Sequence, residues 1–262
     1  MTTFIKIGGS LITDKTREKH FRADVARRIA NELQTAHFAT EEPLLLGHGS
    51  GSFGHYAAKR YGTVQGVASR DEWRGFAEVG TVAAELSELM MQTLHDAGLP
   101  VWRIQPSASV LCEDGNIVQM NTHPIDIALN NGLVPLVHGD VALDRARGGT
   151  IISTETIFAY LATQIPVNRI IILGEVPGVY DKNKQLVDEI TPGSLTQLEA
   201  ALGGSHGTDV TGGMLTKVRD MVQLVQAING LEVIIAGGME PGLLPALITG
   251  KTAAGTRIYD PS

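Results

Sequence analysis

The feature of this sequence that most constrains its fold is a regular alternation of short apolar runs with longer amphipathic stretches. The apolar runs are rich in Val, Ile and Leu without a polar alternation, which is typical of parallel strands covered on both faces. Strands that alternate with helices predict an α/β protein with an open, doubly wound sheet. The predicted strands cover residues 3–7, 44–46, 99–104, 133–137, 170–173 and 231–236. The predicted helices cover residues 23–33, 53–61, 72–95, 154–163 and 214–228.

Turns that contain glycine follow four of the predicted strands, at residues 8–10, 47–51, 139–140 and 237–238. In doubly wound sheets, ligands bind at the carboxyl ends of the strands. The densest run, residues 47–55, leads into a predicted helix, and its backbone N–H groups suit an oxyanion. His55 in this run could donate a hydrogen bond to such an anion, although an exposed helix histidine is the commoner alternative.

Three lysines stand beside these turns. Lys6 lies within an apolar strand, where an ammonium group is costly to bury unless an anion meets it. Lys217 follows Gly212-Gly213 in the first turn of a predicted helix, where its charge is unfavourable without a bound anion. Lys15 follows the first turn. The alternatives are that Lys6 lies on an edge strand, that Lys217 is a surface residue of its helix and that Lys15 is a solvated loop residue.

Two partial nucleotide-binding motifs do not fit their usual contexts. Residues 49–54 match G-x-G-x-x-G, but the acidic residues about 20 positions later open a polar helix instead of closing a strand. Residues 250–252 resemble the end of a Walker A loop, but Pro245 occupies the position of its first glycine. Neither paired cysteines nor an H-x-x-x-H motif indicates zinc. An NAD-dependent oxidoreductase and a non-catalytic nucleotide sensor remain alternatives.

Composition excludes some classes of protein. The net charge of −7 disfavours a protein that coats nucleic acid. A single cysteine, Cys112, cannot form an internal disulfide, which favours a reducing cytoplasm. Lys6 and the glycines after it interrupt the early apolar run, so we expect no N-terminal signal. No apolar run approaches the ~20 residues needed to cross a bilayer, so we expect no membrane association.

Taken in order, the motifs resemble those of the amino acid kinase superfamily over about residues 3–258. Lys15 with the Ser-Phe-Gly-His run is more specific, and resembles the branch that phosphorylates isopentenyl phosphate and, less closely, the fosfomycin-resistance kinases. The motifs are Lys6-x-Gly8-Gly9-Ser10, His48-Gly49-x-Gly51-Ser52-Phe53-Gly54-His55, His138-Gly139-Asp140, Gly178-Val179-Tyr180 and Asp209-Val210-Thr211-Gly212-Gly213-Met214 with Lys217.

The resemblance implies a single domain, residues 1–262, with the amino acid kinase fold. This fold is an open αβα sandwich with a mainly parallel central sheet and no P-loop. The resemblance also implies an acceptor-binding lobe over about residues 1–168 and an ATP-binding lobe over about residues 169–262. Its implied partners are a small-molecule acceptor, isopentenyl phosphate, and a second copy of the chain in a homodimer.

The resemblance also implies roles for individual residues. Lys6 and Lys217 would contact the transferred phosphoryl group and the β-phosphate. Lys15 would neutralise charge on the transferred group, and Asp140 would orient the lysines. His55 would bind the phosphate of the acceptor.

The implied cofactors are ATP as co-substrate and Mg²⁺ held by the ATP phosphates rather than by protein ligands. Ser50 and Gly51 would lie between acceptor and nucleotide, and Gly149 near the acceptor. The implied ATP-binding residues are Lys6, Gly8, Gly9, Ser10, Gly51, Glu175, Gly178, Tyr180, Gly212, Gly213 and Lys217. The sequence departs from the family pattern at Ser50, at Glu175-Val176-Pro177 and at Ser153-Thr154-Glu155, and the last two departures leave the nucleotide contacts open.

The chemistry of phosphoryl transfer explains this set of residues. Two phosphates that approach one another repel, so catalysis depends on positioning and on opposite charge. A phosphate acceptor is already ionised near neutral pH and needs no strong general base, so His55 can act as a donor. Phe76, Val79 and Ala83 could wall a short prenyl tail or simply pack in the core. A phosphonate kinase and a kinase of carboxylate acceptors remain alternatives.

Overall fold

The main sheet of the protein is mostly parallel and has β1 near its middle. The computed structural model describes residues 1–40, 42–196 and 212–262, and within them this sheet has eight strands in the order β10-β12-β11-β9-β1-β2-β6-β3. All neighbouring pairs are parallel except β11 with β12. The strands are β1 (Thr2–Ile7), β2 (Leu44–His48), β3 (Val101–Arg103), β6 (Val134–His138), β9 (Val167–Gly174), β10 (Glu189–Ile190), β11 (Glu232–Gly237) and β12 (Thr256–Tyr259). The predicted α/β class and parallel sheet are confirmed.

Helices cover both faces of this sheet. The longest, α4, begins with a capping box in which Ser69 accepts from the N–H of Glu72 and Glu72 accepts from the N–H of Ser69. The helices are α1 (Gly9–Ile12), α2 (Ala23–Thr40), α3 (Gly51–Tyr61), α4 (Arg70–Asp96), α5 (His123–Asn130), α6 (Thr154–Ala162), α7 (Gly212–Ala227) and α8 (Leu243–Ile248). The five helices predicted from periodicity all form, although α2 continues past its predicted end.

A second, smaller sheet lies beside the first. Its order is β5-β4-β7-β8, and it combines two antiparallel pairs with one parallel pair. Its strands are β4 (Val110–Glu113), β5 (Asn116–Met120), β7 (Asp140–Asp144) and β8 (Gly148–Ile152). These strands are short and partly exposed, so they lack the continuous apolar runs that identified the main sheet. The sequence analysis did not predict this sheet.

Two apolar clusters hold the layers together. One packs α6 and α7 against one face of the main sheet and includes an edge-to-face pair of Phe4 and Phe158, with ring centroids 5.2 Å apart. The other packs α2 and α4 against the opposite face around Leu33, Leu86 and Met90. The alternate side chains of β1 enter both clusters, so this strand is buried on both faces. No helix in the described ranges is long and apolar enough to cross a membrane.

Candidate active site

A cleft of about 650 Å³ opens at the carboxyl ends of β1, β2 and β9. The strand order brings these ends together because β2 and β9 pair with β1 on its two sides. Most of the residues predicted from sequence line this cleft. They are Lys6, Gly8, Gly9, Ser10, Lys15, Ser50, Gly51, His55, Asp140 and Lys217.

The turns after β1 and β2 touch backbone to backbone at the floor of the cleft. A Cβ atom added to Gly9 would lie 2.4 Å from the nitrogen of Gly51, and one added to Gly49 would lie 2.9 Å from the nitrogen of Gly9. Gly51 itself has φ of +50°, a conformation that other residues adopt at a cost. Larger residues would therefore force the two turns apart.

The hydroxyl group of Thr13 links these two turns by hydrogen bonds. Its hydroxyl donates to the carbonyl of Gly9 at 2.7 Å and accepts from the N–H of Ser52 at 2.9 Å. The side chain is fully buried, so these hydrogen bonds form away from solvent. The start of α3, which Ser50 and Gly51 form, is thereby held against the turn after β1.

A single carboxylate joins two of the predicted lysines. Oε1 of Glu155 lies 2.5 Å from Nζ of Lys6 and 3.2 Å from Nζ of Lys217. Glu155 is in the first turn of α6, where a negative charge is favourable, and the Ser153 hydroxyl caps this helix by accepting from the N–H of Thr156. Residues from β1, α6 and α7 thus meet at one point in the cleft.

The charges of Glu155, Lys6 and Lys217 shift the pKa values within this cluster. Burial alone would raise the pKa of Glu155, but the adjacent Lys6 and Lys217 ammonium groups lower it to about 2. Burial lowers the pKa of Lys6, and Glu155 opposes that shift while Lys217 adds to it. The carboxylate is therefore ionised at neutral pH and contacts two basic side chains. Basic side chains gathered at one point of a cleft suit an anion.

Asp140 does not take the part that the family resemblance gave it. Its carboxylate accepts hydrogen bonds from the side chain of Gln105 at 2.7 Å and from the N–H groups of Ser107 and Val141. Burial raises the pKa of this carboxyl group. The acid that contacts the lysines is Glu155, because the start of α6 rather than of β7 faces Lys6. Asp140 still lines the cleft.

Two buried histidines stack behind the turns. The rings of His48 and His138 have centroids 5.4 Å apart and planes inclined by 7°, and neither side chain is exposed. Burial lowers the pKa of His48 to about 3, with a further contribution from His138. Burial likewise lowers the pKa of His138 to about 4. Both rings are therefore neutral at physiological pH and act as packing groups next to Gly49 and Asp140.

His55 and Lys15 face the cleft from its outer side. His55 lies on the exposed face of α3, one turn from its start, and Lys15 lies in the loop that follows α1. Neither side chain is buried, so both are available to a ligand in the cleft. Both residues line the cleft, and their role toward an acceptor phosphate stays a prediction.

The cleft continues into an apolar recess. Its lining includes Val64, Val79, Ala83 and Ile151, and the small side chain of Ala83 leaves space on α4. Phe76 is absent from this lining, and its ring instead occupies the space where Gly149 has no Cβ, 2.7 Å from the position that atom would take. Val79 and Ala83, but not Phe76, are thus placed as the sequence analysis expected.

Gly149, Glu175, Gly178 and Tyr180 are among the predicted residues outside the cleft lining. Gly149 packs against Phe76, and a Cβ on Gly178 would lie 2.6 Å from Oγ1 of Thr256. Glu175 pairs with Arg22 at 3.0 Å. Tyr180 forms an isolated β-bridge with Leu186. Their predicted roles in ligand binding stay predictions.

The remaining predicted nucleotide residues are Gly212 and Gly213, which open α7. Met214 and Lys217 of the same helix line the cleft, so the start of this helix is near it. The preceding residues of the motif, 209–211, lie outside the described residues.

Comparison with known proteins agrees with this geometry. The model of the amino acid kinase family matches residues 1–237. Isopentenyl phosphate kinase of Methanothermobacter thermautotrophicus is 33% identical over 97% of this chain and 97% of its own length. Isopentenyl phosphate kinase of Methanocaldococcus jannaschii is 33% identical over 85% of this chain and 87% of its own length. A crystal structure of isopentenyl phosphate kinase superposes with a TM-score of 0.83 at 28% identity, covering 98% of this chain and 100% of that one.

Proposed function

The chain belongs to the amino acid kinase family, and from this premise we propose that it transfers the γ-phosphoryl group of ATP to isopentenyl phosphate, forming isopentenyl diphosphate. The observation that carries the proposal is the convergence of Lys6, Lys15, His55 and Lys217 on one cleft that ends in an apolar recess. The cations suit two phosphate groups, and the recess suits a short hydrocarbon tail. Two relatives that are 33% identical and match most of the chain bear this activity in their names.

The charged end of the cleft is where the transfer would take place. Lys6 and Lys217 would neutralise the transferred phosphoryl group and the β-phosphate of ATP. Glu155 holds the two ammonium groups within reach of one of its oxygens. This pre-organisation spares the reaction the cost of gathering two mutually repelling cations.

The acceptor would lie on the α3 side of the cleft. His55 would donate to the acceptor phosphate, and Lys15 would neutralise charge on the group in transit. A terminal oxygen of the acceptor phosphate attacks the γ-phosphorus, the bond from this phosphorus to the β,γ-bridging oxygen breaks, and ADP leaves. The acceptor has a second pKa near 6, so no general base is required.

Mg²⁺ enters this proposal with the phosphates of ATP. Within residues 1–40, 42–196 and 212–262, no group of three or more His, Cys, Asp or Glu side chains is placed to hold a metal ion. When bound, Mg²⁺ would supply further positive charge at the phosphates. The protein groups named above would position the reactants.

The assembly and the compartment are also parts of the proposal. Strand β3 is an edge of the main sheet, and Trp102 on it is 41% exposed. An open sheet edge that carries an exposed aromatic side chain favours a homodimer, and Leu89 on α4 and Leu133 before β6 are exposed to a similar extent. Cys112 is buried and unpaired, which agrees with a reducing cytoplasm.

An acceptor screen tests the proposed function. The purified protein is incubated with ATP and Mg²⁺ and with isopentenyl phosphate, fosfomycin, acetylglutamate, aspartate or UMP, and ADP release is measured. We expect isopentenyl phosphate to give the highest kcat/KM. Turnover of fosfomycin or of a carboxylate acceptor without turnover of isopentenyl phosphate would overturn the substrate assignment. ATP binding without turnover of any acceptor would indicate a nucleotide sensor.

A further inference from the structure

Tyr56 joins the helix that carries His55 to the loop that carries Lys15. Its hydroxyl donates a hydrogen bond to the main-chain carbonyl of Lys15 at 3.0 Å. Tyr56 follows His55 directly on α3 and also lines the cleft. The two predicted phosphate-binding side chains are therefore linked through one phenol.

The loop itself, residues 14–20, is organised from within. One carboxylate oxygen of Asp14 accepts from the N–H and from the hydroxyl of Thr16, at 2.9 Å and 2.6 Å. The other accepts from Nε of Arg17 at 3.1 Å, and the N–H of Asp14 donates to the carbonyl of His20. Thr13 holds the base of this loop against α3, and a contact farther along the loop sets the place of Lys15 itself.

The other contacts of the loop are attached away from Lys15. Lys19 pairs with Glu85 and Glu18 pairs with Arg60, but all four side chains are between 41% and 52% exposed. Exposed ion pairs of this kind contribute little. The N–H of His20 reaches the hydroxyl of Ser52 only at 3.4 Å. The bond from Tyr56 is shorter than that of His20 and is attached at Lys15 itself.

We propose that Tyr56 is a positioning residue. Its hydrogen bond fixes the main chain at Lys15, so that the Lys15 ammonium group and His55 contact the same phosphate. Lysine has a long flexible side chain, and a fixed attachment point reduces the volume that its ammonium group explores. Misplacement of a charge-neutralising group lowers the rate of phosphoryl transfer. The inference rests on the proposed function, since it concerns the same cleft.

Tyr56→Phe removes the hydroxyl and leaves the ring. Tyr61→Phe is the matched control, because Tyr61 is on the same helix and its hydroxyl donates to Glu78 on α4 at 2.6 Å, away from the loop. We expect Tyr56→Phe to lower kcat about three- to ten-fold, the effect of one hydrogen bond, with the KM for ATP unchanged. We expect Tyr61→Phe to leave kcat near that of the parent protein.

Two further measurements separate positioning through Lys15 from a general structural effect. In a Lys15→Ala background, Tyr56→Phe should cause no further loss of kcat. Limited trypsin digestion should cut after Lys15, Arg17 or Lys19 several-fold faster in Tyr56→Phe than in the parent or in Tyr61→Phe. The sites of cleavage are identified by mass spectrometry of the fragments.

The outcomes distinguish the two proposals. If the parent protein fails to phosphorylate isopentenyl phosphate, the proposed function is wrong, and the trypsin comparison still tests the link between Tyr56 and the loop. Equal kcat and equal digestion rates in Tyr56→Phe and the parent would overturn the positioning role. A loss of kcat that is equally large with and without Lys15 would overturn it as well.

Discussion

The carboxylate of Glu155 lies 2.5 Å from the ammonium group of Lys6, and both side chains are almost fully buried. The two residues are 149 positions apart in the chain, and Lys217 joins them from a third element. Both lysines line the cleft, so a phosphate bound there would lie close to their side chains.

Loss of the charge on Glu155 should destabilise the protein. Glu155→Gln removes the carboxylate that contacts Lys6 and Lys217, and we expect the free energy of unfolding in urea to fall by about 3 kcal/mol. Glu85→Gln, which breaks the exposed pair with Lys19, should cost less than about 1 kcal/mol. Added pyrophosphate should raise the melting temperature more in Glu155→Gln than in the parent. Equal destabilisation by the two substitutions would contradict this account.

The buried histidine pair should make the protein sensitive to mild acid. His48 and His138 have pKa values of about 3 and about 4 in the folded state, against 6.5 for an ordinary histidine. Between pH 6.5 and about 4 the unfolded chain therefore binds more protons, and stability falls as the pH falls. The slope is up to about 1.4 kcal/mol per pH unit for each histidine.

Urea unfolding between pH 7 and pH 4.5 measures this slope. His138→Gln should make the dependence of stability on pH less steep, whatever effect the substitution has on stability at pH 7. His123→Gln, at an exposed position of α5, should leave the slope as it is in the parent. The same slope in His138→Gln and the parent would show that the pair does not titrate in this way.

Lys217 should be needed for turnover. Lys217→Ala removes a cation that contacts Glu155 in the cleft, and loss of one such charge-stabilising group costs about 100-fold or more in kcat. Lys251→Ala is the control, because Lys251 is an exposed lysine of the loop that resembles a Walker A motif in sequence only. Steady-state ADP release measures both variants. Near-normal kcat in Lys217→Ala would contradict the charge-stabilisation account.

His55 should act on the acceptor and not on ATP. His55→Ala removes a hydrogen-bond donor to a charged phosphate. We therefore expect the KM for isopentenyl phosphate to rise about ten-fold or more. The KM for ATP should change little, because His55 lies on the α3 side of the cleft. His123→Ala serves as the surface control. If the KM for isopentenyl phosphate is unchanged in His55→Ala, the histidine does not bind the acceptor.

The apolar recess should limit the size of the acceptor tail. Ala83→Leu adds bulk to the α4 wall of the cleft and should raise the KM for isopentenyl phosphate several-fold, with a smaller effect on methyl phosphate. Ala77→Leu places the same side chain on an exposed position of α4 and should change neither KM. If Ala83→Leu raises the KM for isopentenyl phosphate and the KM for methyl phosphate equally, the hydrocarbon tail does not bind against Ala83.

The main sheet and the glycine turns could be predicted because each depends on a local pattern. Continuous Val, Ile and Leu runs indicate strands buried on both faces, and the glycines mark where those strands end. Lys6 was conspicuous for the same reason, as a charge within an apolar run. The small sheet could not be predicted, because strands such as Asn116–Met120 are half exposed and have no continuous apolar run.

Glu155 shows a different limit of sequence reasoning. An acidic residue in the first turn of a helix is common for local electrostatic reasons, and nothing near it in the chain indicates two lysine partners. The sequence analysis noted it only as a departure from the family pattern and gave its role to Asp140. Tyr56 was missed as well, because its partner is a main-chain carbonyl 41 residues away, and a main-chain partner has no signature in sequence.

The position of β1 has a consequence for how the chain folds. Its two neighbours are the strands Leu44–His48 and Val167–Gly174, so the centre of the sheet joins the beginning of the chain to its second half. Contacts between such distant segments form slowly, because a long loop must close before any pairing is gained. Strand β1 can therefore pair with Val167–Gly174 only after the segment between them has been synthesised, and until then one of its edges is open to incorrect pairing.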